Sequence, residues 1–179
     1  MKGIKLSLLF FVTSVPLLII VPVHAAASQT PLEITEYVCM NTPGEEWMDG
    51  NVYHLRGQIH ENVWVVNGTI WGINTASIDL DWNQKTGQVT IRGFADVARQ
   101  GVNGGYTGVG AFRFYGGGPR PLIGNSAARG YGDLQGQFLR MDVVGESLPP
   151  DSTGEAYCDG HGEYFSTTFW SGYILTADD

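Results

Sequence analysis

Apolar and polar residues alternate with a period of two over much of the chain beyond residue 25. Between Ala76 and Ala95, Ile78, Leu80 and Trp82 alternate with Ser77, Asp79 and Asp81. The run Asn83-Gln84-Lys85-Thr86-Gly87 supplies turn residues, and Val89 and Ile91 then alternate with Gln88, Thr90 and Arg92. Successive side chains of a strand point to opposite faces, so this spacing predicts a hairpin with one core face and one polar face. Asp79 or Asp81 would stand across from Arg92 as a surface ion pair. The same reading makes Ile34–Cys39 a first strand, rich in β-branched and aromatic residues. Val52–Ile59, Val63–Val66 and Thr69–Trp71 follow as short strands, the last two around the tight-turn pair Asn67-Gly68. Tyr106–Tyr115 and Gln137–Val144 read as later strands, and Glu163–Thr176 as a final strand pair or one bent strand. Met40–Gly50, Gln100–Gly105, Gly116–Pro121 and the stretch opened by Pro149 and Pro150 read as loops.

No window beyond the first 25 residues repeats apolar residues at three-and-four spacing between a cap and a stop, so few or no helices are expected. About seven to ten short strands at intervals of roughly 8 to 15 residues predict an all-β fold, a single antiparallel β-barrel with a β-sandwich as the alternative. Gly57, Gly93, Gly108, Gly110 and Gly136 within these segments suit the bends by which a sheet curls into a barrel. The organisation expected is a secretory signal peptide over 1–25, a flexible mature N-terminus over 26–33 and a β-barrel domain over 34–179. The leader reading rests on Lys2 and Lys5, the apolar run Leu6–Val21, and small residues before Ala25. The product would be secreted, periplasmic or extracellular, with no membrane insertion after signal removal.

Losing that leader leaves eight basic residues against 18 acidic ones, a net charge of about −10. An acidic chain without a basic cluster argues against nucleic acid as a partner, because phosphate binding draws most of its affinity from positive charge. Cys39 and Cys158 are the only cysteines. Export to an oxidising compartment makes a disulfide between them the expectation, pinning the first strand to the last region.

The run Ile78–Arg92, the segment Gly105-Tyr106-Thr107-Gly108-Val109-Gly110 and the stretch Ala128–Arg140 share a strand rhythm and glycine placement. In these respects the chain resembles small secreted β-barrels of the allene oxide cyclase, dirigent and calycin-like kind. The resemblance implies a barrel enclosing an apolar pocket, in some members guiding cyclisation or radical coupling without a cofactor. No catalytic set of those families maps onto this sequence.

Several chemistries find residues but no constraining pattern. His54, His60 with Glu61, and His161 with Glu163 are metal-ligating types, yet no ligand motif frames them, and no metal or cofactor is expected. Ser126 and Ser166 lack a nucleophile-elbow context. Glu36, Asp79, Asp81, Asp96, Asp133 and Glu155 supply acids for glycosidase chemistry, which is decided by their separation in space. Asn67-Gly68-Thr69 fits a glycosylation acceptor. The aromatic residues Trp47, Trp64, Trp71, Trp82 and Trp170 suit the lining of a barrel or groove for a small apolar or sugar ligand. The function expected is a small-molecule or surface-binding module at the barrel mouth, with Trp64, Trp71, Arg113, Tyr115, Arg129 and Arg140 as ligand-binding residues. A cofactor-independent isomerase or cyclase, with Arg56, Arg92, Arg113, Arg129 and Arg140 as electrophilic stabilisers, is the alternative from another class. A structural envelope or interaction protein with a filled barrel is the third.

Overall fold

A computed structural model describes residues 27–115, 123–145 and 147–177. The leader expected over 1–25 and the loop expected over Gly116–Pro121 lie outside the described residues. The described residues form nine strands and one short helix in the order β1 (Ser28–Thr42), β2 (Glu45–Asp49), β3 (Val52–Val66), β4 (Thr69–Asn83), β5 (Gln88–Arg99), β6 (Gly104–Tyr115), β7 (Ile123–Gly132), β8 (Gln137–Val143), α1 (Ser152–Cys158) and β9 (Glu163–Thr176). Each strand from β3 to β8 pairs antiparallel with the next, β8 pairs with β9, and β9 with β1. β1 then pairs with β3 through Glu36↔Trp64 and Met40↔His60, which closes an eight-stranded antiparallel barrel. Closure removes the free edges that an open sheet would present. β2 extends the wall by pairing with the far end of β3.

The hairpin Ala76–Ala95 forms as the alternation predicts, with Ile78 opposite Gly93, Leu80 opposite Ile91 and Trp82 opposite Val89. Its charges find other partners. Asp79 stands opposite Arg92 in register, but its Oδ1 accepts the Gly57 amide at 3.0 Å. Asp81 takes Arg56 Nη2 and His54 Nδ1, each at 2.6 Å. The ion pairs therefore join β4 to β3 rather than to β5, because Gly57, at φ +66°, opens a bulge where β3 and β4 shift register and Arg56 swings beside Asp81.

The strands here are fewer and longer than expected. The segments expected as separate strands over Val52–Ile59 and Val63–Val66 are one long strand, and Thr69–Trp71 continues unbroken into the predicted hairpin. The turn at Asn67-Gly68 is as predicted, with both residues at positive φ. β1 starts at Ser28, so the stretch expected to be flexible pairs with the end of β9. β2 occupies part of the loop expected over Met40–Gly50. Glu163–Thr176 is a single strand.

Two apolar clusters divide the barrel. Inside, Leu32, Ile34, Trp64, Trp71, Val97, Tyr106, Leu139, Met141 and Trp170 pack one end solid. Outside, Cys39, Val63, Val65 and Cys158 form a second cluster with Tyr37, Tyr157 and Tyr164. Helix α1 covers that outer cluster. Asp151 caps it by accepting the Gly154 amide at 2.8 Å. A Cβ on Gly154 would fall 1.9 Å from the Tyr164 ring, so only glycine lets the helix sit this close to β9. The expected disulfide is present between Cys39 and Cys158. It ties the end of α1 to β1 on the outside of the barrel, while backbone pairing of β1 with β3 and β9 closes the sheet.

Candidate functional site

The end of the barrel opposite the packed cluster is hollow. A cavity of about 550 Å³ opens there, bounded by residues of β1, β3–β9 and the segment before β9. Its existence follows from which residues point inward. On β5, β6 and β7 the wall is made largely of Gly93, Ala95, Gly108, Gly110, Ser126 and Ala128, while the larger Phe94 and Val109, in the opposite phase of their strands and more than half exposed, border the cavity without filling it. A Cβ on Gly108 would sit 2.1 Å from the Ala127 carbonyl oxygen, so the close approach of β6 to β7 requires glycine there. Small residues on that side leave a void that the larger Val38, Leu55, Ile78, Leu80 and Phe112 border without filling.

The floor is polar. Glu36 is 4% exposed and is the only buried acid among the described residues. Its Oε1 accepts from Asn62 Nδ2 at 2.8 Å, Trp64 Nε1 at 2.8 Å and Asn74 Nδ2 at 3.2 Å. Its Oε2 accepts from Thr168 Oγ1 and Trp170 Nε1, both at 2.7 Å. Four strands thus contribute donors or acceptor to one carboxylate, and their pairing explains why. Glu36 stands opposite Trp64 on β3 and Thr168 on β9, and Asn62 stands opposite Asn74 on β4. Asn62 is engaged at both ends of its amide, since its Oδ1 also accepts the Cys39 amide. Asn74 is not: its Oδ1 is buried and has no hydrogen-bond partner among the described residues.

His60 lies above this floor, between Met40 on β1 and Ala76 on β4 in register. Gln58 directs its amide nitrogen to Met40 Sδ at 3.1 Å, which leaves its Oε1 to accept from His60 Nε2 at 2.8 Å. Burial lowers the His60 pKa below 6.5, against an upward pull from Glu36. The neutral ring with its proton on Nε2 leaves Nδ1 as an acceptor without a partner among the described residues.

The residues singled out from sequence fall in different places. Trp64 lines the cavity, and Trp170, named among the aromatics, does too. Trp71 is in the packed end, stacked on Tyr106 at 5.9 Å with the Arg99 guanidinium 4.4 Å from its ring. Arg113, Arg129 and Arg140 are exposed and do not line the cavity, because each sits at an outward position of its strand. Tyr115 pairs with Gln88 at the end of β6, and its side chain lies outside the described residues. Of the expected electrophilic arginines, Arg92 is also exposed, and Arg56 is on the outer face with His54, Asp81 and Trp47. Burial raises the Asp81 pKa, but the hydrogen bonds from Arg56 and His54 outweigh it and hold the carboxyl below its ordinary value. Trp47 and Trp82 are partly exposed away from the floor. His161 faces Glu61 at 3.4 Å, apart from the cavity that His60 lines, and the described residues hold no cluster of three metal-ligating side chains.

In the sequence Glu36 and His60 stand out only among the other acids and histidines, and Asn62, Asn74 and Thr168 carry no motif that marks them. The signal was present: Leu32, Ile34, Glu36 and Val38 alternate in one phase, which puts an acid on the core face of a strand. No protein-family model, curated protein or solved structure matches the chain.

Proposed function

We propose that this barrel is a binding module for a small, largely apolar molecule that enters at the open end and rests above Glu36. The observation that carries the reading is the cavity of about 550 Å³, walled mainly by apolar side chains and ending on a few convergent polar groups. Its size falls within the range of roughly 300–1,000 Å³ typical of ligand sites, and a filled structural barrel would have no such space. Among the described residues the wall holds the acid of the acid–arginine pair that the isomerase or cyclase alternative calls for, but not the arginine, which favours a binder over that chemistry. Export fits the same reading, supported by the signal-like N-terminus and the Cys39–Cys158 disulfide.

The test is titration with Nile red, a neutral apolar dye, followed by its emission. Saturable binding at one dye per chain is expected, and Ala95→Phe, which places a ring in the cavity from the small-residue wall, abolishes it while the circular dichroism of the barrel is kept. A folded wild-type protein that neither binds the dye nor carries a copurified small molecule in native mass spectrometry overturns the reading.

A further inference from the structure

Building on that binding reading, we propose that the occupant is an organic cation, a compact apolar amine whose ammonium group points at the Glu36 floor. Among the described residues no lysine or arginine lines the cavity, and the ion pairs lie at Asp81 and Glu61, away from Glu36. Five hydrogen bonds spread the charge of the Glu36 carboxylate without neutralising it. A charge held out of water favours a partner of opposite sign far more than a solvated one does.

The hydrogen-bonding inventory points the same way. A carboxylate offers about four lone-pair sites, and five donors already crowd this one, so a ligand gains charge attraction from Glu36 rather than another bond to it. What remains open at the floor are acceptors: Asn74 Oδ1, which has no partner, and His60 Nδ1 above it. The floor donors Asn62, Trp64, Asn74, Thr168 and Trp170 each give a hydrogen bond to Glu36. An ammonium supplies the missing donors and the missing positive charge together. The indole rings of Trp64 and Trp170, which border the same space with centroids 6.3 Å apart, offer aromatic faces of the kind that attract organic cations. A carboxylate or phosphate head would meet like charge at Glu36. An alcohol would find acceptors but gain nothing from the charge.

Displacement of Nile red by three molecules with one hydrocarbon body decides between these heads: aminoadamantane, adamantanol and adamantane carboxylate at neutral pH. The amine is expected to displace the dye at a concentration at least about tenfold below the alcohol, with the carboxylate weakest. Glu36→Gln, if its circular dichroism shows a folded barrel, brings amine and alcohol to within about twofold. Equal potency of amine and alcohol in the wild type, or a preference for the carboxylate, overturns the cation assignment while leaving the binding module standing. Failure of Nile red itself to bind is the separate result that removes the binding reading beneath it.

Discussion

Glu36 shows how one side chain can order a whole cross-section. It sits between Ile34 and Val38 on the inward face of β1, where an unpaired carboxylate would be very costly to bury. Donors from β3, β4 and β9 offset that cost, and in doing so they fix the rotamers of Asn62, Trp64, Thr168 and Trp170. Replacing it by leucine leaves several buried donors without an acceptor, each costing about 1–3 kcal/mol. Glu36→Leu should therefore lower unfolding free energy by at least about 3 kcal/mol in a urea titration, and a loss below about 1 kcal/mol would contradict the account. His60 adds a pH dependence of definite sign. Its pKa is lowered in the fold by burial, with Glu36 opposing. As pH falls past about 6.5 the unfolded chain takes up a proton that the barrel resists, so this contribution is whole above that value and is lost toward the lowered folded value. The urea midpoint should drop between about pH 7 and pH 5, and His60→Gln should flatten the drop in that window.

Among the elements, the hairpins were the easiest to read, since alternation around Asn83–Gly87 and the Asn67-Gly68 turn is local information. The breaks that sequence placed inside β3 and β4 were misplaced because His60-Glu61-Asn62 and Gly72-Ile73-Asn74-Thr75 interrupt the apolar runs and read like loops unless the partner strand is known, here with Glu61 opposite Thr75 and Asn62 opposite Asn74. Helix α1 was missed for a different reason. Its seven residues carry little periodicity, and it is held by the Asp151 cap, by contact of Gly154 with Tyr164 and by Cys158. The disulfide closes a separation of 119 residues, for which chain entropy predicts a stabilisation of about 4–5 kcal/mol. Cys39→Ser with Cys158→Ser should lose about 2–5 kcal/mol in denaturant unfolding. In hydrogen exchange the amides of α1 should lose protection first, while β4–β6 keep theirs, because the bridge anchors the helix and not the closure of the sheet. Equal loss across the barrel would show that the bridge holds the strands.

For the molecule as a whole, the residue pattern determined that strands would dominate, that many would be half-buried and that one domain would hold them, because period-two alternation and turn residues act within a few positions. It also carried the anomaly of an acid in an apolar phase on β1, and the two cysteines as a pair. Which residues would meet was decided by closure. Only the β1–β3 pairing brings Glu36 to Trp64 and Asn62, and only the register of β5–β7 collects glycines and alanines on one inner wall, leaving a void instead of a packed core. The arginines expected near a ligand face outward for the same reason: a side chain's distance from a site is set by strand order and shear around the barrel, and these are long-range quantities that no local window contains.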